Sequence, residues 1–262
     1  MPTSSTPPYD ARLAWRQRVR ASAIHMVSCI TVAMIVAALV LLIWYPWPYR
    51  VISGGEQLLF LVMGVDIIMG PLITLAIFDL RKPMQVLKRD LAVIVALQLA
   101  ALFYGLHTVY IARPVALALE GTRFRVTTAV QVVSEELPRA PEGLRSLPLD
   151  GPRLVATVEP SAEERGDAIF MAMAGADLGA RPLFWRAWGA DARRETLKAG
   201  KPIGPMLTSL ADRSDVDAAI ARTGRSADQL LAIPVIARRL DWSVLIDKTT
   251  GDPVGFAPID AF

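Results

Sequence analysis

The sequence predicts a membrane α-helical region of three transmembrane helices followed by a C-terminal soluble α+β domain. Apolar residues fill 53% of the 262 positions, and the mean hydropathy of +0.39 is high for a water-soluble chain. The excess is gathered into three runs, Ala21–Trp44, Gln57–Phe78 and Leu91–Ala112. After Ala112 the texture changes to short apolar stretches punctuated by Pro and Gly, the pattern of a domain folded in water. Three regions follow: an N-terminal cytoplasmic segment (1–20), a three-helix transmembrane region (21–112) and a periplasmic α+β domain (113–262).

Each apolar run is long enough to cross a hydrocarbon core of about 30 Å at about 1.5 Å per residue. Within lipid the backbone has to satisfy its own hydrogen bonds, so each run is expected to be helical. The first run is too long for the apolar core of a signal peptide, and no small-x-small cleavage site follows it. It reads instead as an uncleaved anchor. Its end, Trp44-Tyr45-Pro46-Trp47-Pro48-Tyr49, has the composition of an aromatic belt at the membrane surface.

Basic residues set the expected orientation. Arg12, Arg16, Arg18 and Arg20 precede the first run, and Arg81, Lys82, Lys88 and Arg89 separate the second from the third. The first connection carries only Arg50, with Glu56. The positive-inside rule then puts the N-terminus and the second connection in the cytoplasm and everything after about Arg113 outside it. In a bacterium this is a multi-pass inner-membrane protein with a periplasmic domain. A net charge of +3 without a dense Lys/Arg tract argues against nucleic acid as a partner. Cys29 is the only cysteine, so no intramolecular disulfide is available and the soluble domain has to rest on its core.

Asp66 is the most informative residue in the apolar region. It lies about 13 Å into the second run by helical rise, where an ionised carboxylate costs about 2.5–3.5 kcal/mol to insert. It should be protonated or face a polar partner. Gln98 in the third run lies at a comparable depth. Gly64 and Gly70 allow close helix approach, and Pro71 predicts a kink with freed carbonyls nearby. Asp66, Gly64, Gly70, Pro71 and Gln98 therefore form a candidate partner-binding groove. A purely structural role is equally open, with Asp66 hydrogen-bonded to Gln98 or to backbone near Pro71. His25 and His107 sit near opposite ends of their spans and read as interfacial hydrogen-bonders.

In the soluble part, Val115–Leu119 and Phe124–Val133 read as strands joined at Gly121, and Leu154–Val158 as a third. The Pro- and Gly-rich stretch 137–152 reads as an ordered loop. Ser161 with Glu164 opens a helix toward Gly175, Ser214 with Asp217 one that ends near Gly224, and Ser226 with Gln229 a short one before Pro234. Trp242–Asp247 and Pro253–Ile259 read as a hairpin with Gly251 in its turn. Trp185 and Trp188 have helical spacing and suit a core or an interface. Both histidines lie in apolar runs, so the soluble domain has no His-based triad or His metal site. Asp212, Asp215 and Asp217 lack the glycine and distal glutamate of a calcium loop and suit helix capping better. No catalytic residues, metal or cofactor are expected, and the chain does not read as an enzyme.

The chain resembles the TfpX/TfpZ family of type IV pilin accessory proteins. The resemblance rests on Trp44–Tyr49 followed by Gly54-Gly55; Val65-Asp66 with Gly70-Pro71-Leu72; Leu97-Gln98-Leu99 with Tyr104-Gly105; and Ala112-Arg113-Pro114-Val115. It continues through Phe124, Leu144-Arg145 and Leu147-Pro148. It is looser through Leu240-Asp241-Trp242, Asp247, Thr250-Gly251 and Pro258-Ile259-Asp260. It implies an inner-membrane protein that serves as chaperone or stabiliser for one type IV major pilin before assembly. Such a pilin has an apolar membrane helix and a globular head, and a partner with a membrane bundle and a periplasmic domain suits both. The alternative is a membrane-anchored periplasmic sensor or ligand-binding protein, which the sparse cytoplasmic sequence disfavours. A membrane enzyme centred on Asp66 lacks a partner base. A transporter of three spans would have to oligomerise.

Overall fold

The structure, a computed structural model, describes residues 11–208, 213–239 and 241–262. The first ten residues of the N-terminal segment, Asp212 and Leu240 lie outside them. The chain divides into two compact units: residues up to Val40 with Gln57–Val109, and Leu41–Glu56 with Tyr110–Phe262.

The first unit is built on three helices. Helix α1 (Ala11–Leu39) runs into a π-helical turn at Val40–Trp44. Helix α3 (Gly55–Ile77) and helix α4 (Met84–Ile111) follow, with a four-residue helix α2 (Tyr49–Ile52) between α1 and α3. Arg12–Trp44, Gly55–Ile77 and Met84–Ile111 are each long and apolar enough to cross a membrane, as the apolar runs predict. The helices extend beyond those runs on one side. The four N-terminal arginines lie on α1 itself, and Lys88 and Arg89 lie in the first turns of α4. Proline explains the second case, because Pro83 stands just before α4, where its missing N–H is harmless. Ion pairs tie this end together: Arg18 to Asp79 at 3.1 Å and Lys82 to Asp90 at 2.7 Å.

The second unit is an eight-stranded mixed sheet with helices on it, the α+β domain expected. Strands β1 (Pro114–Glu120) and β2 (Arg123–Thr128) form an antiparallel hairpin. Strand β3 (Arg153–Thr157) lies parallel to β1, and β4 (Trp185–Ala187) antiparallel to β3. Helix α5 (Arg165–Met173) connects them. Then come α6 (Ala190–Ala199), the two-residue β5 (Lys201–Pro202), α7 (Ile203–Thr208) and α8 (Ser214–Arg222). Strand β6 (Leu230–Ile236) joins the edge of β2 in parallel. It pairs antiparallel with β7 (Ser243–Asp247), which pairs with β8 (Pro253–Ala257). The order is β4-β3-β1-β2-β6-β7-β8, with β5 beside β6.

Because side chains alternate across a strand, β1 and β6 bury both faces. Leu117, Leu119, Ile233 and Val235 enter one core with Phe124, Trp242, Val244 and Ile246. Ala116 and Ala118 enter a second, with Val155 and Trp185. Leu230 and Ala232 enter a third, with Leu245 and residues of α7 and α8.

Several local expectations change. The second strand stops at Thr128, where Thr128 and Gln131 close a capping box around a 3-10 turn. The Ser161–Glu164 pair exchanges both its hydrogen bonds, at 3.1 and 3.3 Å, just ahead of α5. Ser226 and Gln229 form a capping box on a 3-10 turn only, and the short helix expected before Pro234 is instead strand β6, whose Leu230–Val235 are buried on both faces. Ser214 is the first residue of α8 and Arg213 takes the N-cap position without a side-chain capping bond; Asp217 accepts a 3.1 Å bond from the Arg213 side chain. Trp185 and Trp188 are not on a helix. Trp185 is in β4 and donates to the Gly179 carbonyl at 3.0 Å. Trp188 donates to Asp252 at 2.8 Å beside Phe124. Both rings belong to the core.

The largest departure concerns Trp44–Tyr49. Besides having the composition of a membrane-surface belt, this segment is part of the soluble unit. Tyr45 is buried, Pro46 packs against Gly151, and Trp44 meets Tyr110 edge-on at 5.2 Å. Tyr49 meets Phe256 at 5.5 Å. Ile52 is fully buried in the first core, and its carbonyl accepts the Arg239 N–H at 3.1 Å. Ile52→Ala is therefore expected to destabilise the soluble unit by about 2–5 kcal/mol, as for other buried aliphatic truncations. Denaturant unfolding of the full chain in detergent measures this, and an unchanged midpoint would return the connector to the role of a surface loop.

The β7–β8 turn predicts a pH effect. Asp247 accepts hydrogen bonds from the Thr249 hydroxyl and, at 2.7 Å, the Thr249 N–H, and it pairs with Arg225. These contacts hold its carboxyl down at about 2. The stabilisation is complete above the unfolded value of about 3.9 and is lost as pH falls through the folded value. Asp247→Asn should lower the unfolding midpoint at pH 7 and flatten its decline between about pH 4 and 2, followed by tryptophan fluorescence.

Candidate functional site among the apolar helices

Helices α1, α3 and α4 enclose a cavity of about 280 Å³. His25, Ser28 and Cys29 of α1, Asp66 of α3 and Gln98 of α4 are its polar lining. Val32, Met63, Val95 and Leu102 belong to its apolar part. Helical spacing brings these residues to one face. Positions 25, 28, 29 and 32 on α1 follow the i, i+3, i+4, i+7 rule, as do 63 and 66 on α3 and 95, 98, 99 and 102 on α4.

The hydrogen bonds around the cavity differ from the simplest pairing of Asp66 with Gln98. The Gln98 side-chain amide donates to the backbone carbonyl of Asp66 at 3.4 Å and approaches Cys29 Sγ at 3.5 Å. The Asp66 carboxyl faces this space without a hydrogen bond from another described residue. Toward the Asp79 end, His25 Nδ1 and Thr74 Oγ1 are 2.6 Å apart, and the Ser22 hydroxyl donates to the Pro71 carbonyl at 2.8 Å. Pro71 thus supplies a carbonyl that α1 uses, inside a helix whose ladder lacks its N–H.

Of the five residues singled out in the sequence, Asp66 and Gln98 come together on the cavity. Gly70 is buried directly under the Gln98 amide, where any Cβ would overlap that side chain. Gly64 has nothing within 4 Å of a Cβ position and lies outside the lining. The two glycines therefore do different things: Gly70 seats Gln98, and Gly64 leaves a bare stretch of helix surface. His25, Ser28 and Cys29 were not assigned to the site from the sequence. Their signal was the spacing on α1, hidden because an apolar helix offers no polar contrast by which to choose a face. Among the described residues no three His, Cys, Asp or Glu side chains gather as a metal site would require. Asp215 and Asp217 lie on α8 in the soluble unit, exposed.

Fold and site define a membrane protein of three apolar helices, with a mainly apolar cavity among them that Asp66 and Gln98 line, and a C-terminal soluble α+β domain. The family profile "Fimbrial assembly protein FimB" matches residues 13–54, which take in α1 and the connector as far as Gly54. Two proteins of Dichelobacter nodosus match almost end to end. "Fimbrial assembly protein, serogroup I" is 32% identical over 245 residues, 92% of this chain and 95% of that protein. "Fimbrial assembly protein, serogroup E1" is 31% identical over the same shares. A third, "Fimbrial assembly protein, serogroups C1 and C2", is 37% identical over 119 residues, 45% of this chain and 91% of that one. The chain belongs to this family of fimbrial assembly proteins. No solved structure matches it.

The glycine contrast gives a test of the packing. Gly70→Val should disturb the seat of Gln98 and destabilise the helical unit by about 1–3 kcal/mol, the usual cost of overpacking. Gly64→Ala should be neutral or slightly stabilising, because alanine is the better helix former. Thermal aggregation of the detergent-solubilised protein ranks the two, and equal behaviour would contradict the different surroundings of the two glycines.

Proposed function

We propose that this protein acts in type IV fimbrial biogenesis as a pilin-specific chaperone or stabiliser of the TfpX/TfpZ kind. In this reading it lies in the inner membrane of a bacterium, with its N-terminus and the turn before α4 in the cytoplasm and the α+β unit in the periplasm. The client is a type IV major pilin before assembly. The apolar helix of the pilin docks beside the Asp66 cavity, and its globular head meets the soluble unit. The role is one of binding, not catalysis.

The observation that carries this reading is the near full-length similarity to proteins named for fimbrial assembly. The Asp66 carboxyl adds a physical rationale. An acid on an apolar helix in lipid is costly unless a donor meets it, and a client helix with a polar group supplies one. Two weak contacts on one client, membrane helix and head, reinforce each other through effective concentration while each remains easy to break. Such a chaperone holds its client and still releases it.

Two experiments test the reading. A reporter active only outside the cytoplasm should work when fused after Phe262 and fail when fused at Met84, and the opposite result would overturn the orientation. For the site, Asp66→Asn should retain most pilin crosslinking and surface piliation, and Asp66→Leu should reduce both. A single interhelical hydrogen bond is worth about 0.6–2 kcal/mol, so the loss is a several-fold decrease and not an abolition. Wild-type crosslinking and piliation by Asp66→Leu at matched protein level would remove Asp66 from the pilin site.

A further inference from the structure

The connector between α1 and α3 gathers positive charge that neither the core nor the proposed pilin contact uses. Trp47 is 47% exposed. The Arg50 guanidinium lies 5.4 Å from its ring centroid, and that of Arg222, at the end of α8, lies 5.1 Å from it. The Arg238 side chain covers Gly54, and Arg239 is held beside it by its backbone bond to Ile52. Arg222, Arg238 and Arg239 are exposed. Their nearest counter-charge on the connector is Glu56. Its carboxylate is 3.1 Å from Arg50 Nε, yet that nitrogen is buried without an aligned hydrogen bond.

Two guanidinium groups over one indole repel each other, and among the described residues only Arg50 of these arginines has an ion-pair partner. An anion at this place would relieve the repulsion and meet several donors at once. The chain also fixes the depth of the cluster. The first apolar helix ends at Trp44 and the next begins at Gly55, so Trp47 and Arg50 lie within a few residues of both exits. Trp44 stacks edge-on with Tyr110, beside the end of α4, which brings the third exit to the same level. Lipid phosphates occupy that level, and tryptophan is enriched there. Trp47 and Arg222 further line a groove of about 380 Å³ with Tyr49, Leu154 and Phe256, an apolar bed next to the charges.

We propose that Trp47, Arg50, Arg222 and Arg238 form a binding site for the phosphate of an anionic phospholipid, with the indole and the adjoining groove receiving its glycerol end. The site is independent of pilin recognition.

The test uses the full chain in a neutral detergent, titrated with short-chain phosphatidylglycerol, short-chain phosphatidylcholine or inorganic phosphate, with bound lipid counted by native mass spectrometry. Phosphatidylglycerol should bind and weaken with added salt, phosphatidylcholine should bind at least about tenfold more weakly, and inorganic phosphate should compete poorly. Arg222→Gln combined with Arg238→Gln should reduce phosphatidylglycerol binding at least about tenfold, and the double Lys variant should retain most of it, because charge and not fork geometry dominates a lipid phosphate. Equal binding of the two lipids would overturn the proposal. So would undiminished binding by a folded double Gln variant. Displacement by inorganic phosphate at concentrations matching the lipid would assign the arginines to a free anion instead. If the Gln variant fails to fold, headgroup preference and salt dependence of the unaltered protein decide the matter.

Discussion

Ile52 is fully buried in the core of the α+β unit, although the chain reaches it directly from one membrane helix and leaves it directly into another. The soluble fold depends on this insertion. Strands β1, β2, β6 and β7 turn one apolar face toward a cover made by Tyr49, Val51 and Ile52 of the connector together with Trp188, Ala192 and Ala199. A fully buried isoleucine contributes about 1.5–3 kcal/mol of transfer free energy, comparable to a good fraction of a domain's net stability. The insertion joins the connector and the strands in one compact unit, although α3 and α4 separate them in the chain.

The helical half was legible because lipid imposes a single solution on an apolar run of sufficient length. Composition alone located all three helices. It placed their ends less well, since helices continue past the hydrocarbon wherever capping and ion pairs allow, as at Arg18–Asp79. In the soluble half, strands β1, β3, β7 and β8 announced themselves by β-branched and apolar runs bounded by Gly or Pro. Strand β6 did not, because the Ser226–Gln229 capping box reads as the start of a helix ending before Pro234, and a proline is unusual inside a central strand. The sheet accommodates it by letting β2 join only at Val235 and Ile236. Helix α6 was also missed. It buries only Ala192 and Thr196, too small a face to produce a periodic apolar signal.

The connector shows why local reading fails in a different way. Trp44–Tyr49 has the composition of an interfacial belt, and Trp47 does remain exposed. Nothing within the segment reveals that Tyr45 and Ile52 are spoken for by residues far along the chain. The polar cavity has the same character. Asp66 and Gln98 stood out because polar groups are rare in lipid, but their relation turned out to run through a backbone carbonyl and a glycine seat, details that depend on helix rotation. His25, Ser28 and Cys29 were visible as residues and invisible as a set.

Burial of Ile52 has a consequence for biosynthesis. The connector emerges from the ribosome before any strand of the sheet it completes, and it has to wait while α3, α4 and nearly the whole soluble sequence are made. Closure of the core is a late, long-range event, of the kind that slows folding. It can occur only if every intervening helix has crossed the membrane in the right sense, because one reversed or skipped helix would leave the connector and the sheet in different compartments. Completion of the soluble unit is thus tied to the way the two helices between connector and sheet are placed. A chain in which the connector failed to dock would leave Ile52 and its partners in the core exposed, and exposed apolar surface of that kind favours aggregation and degradation.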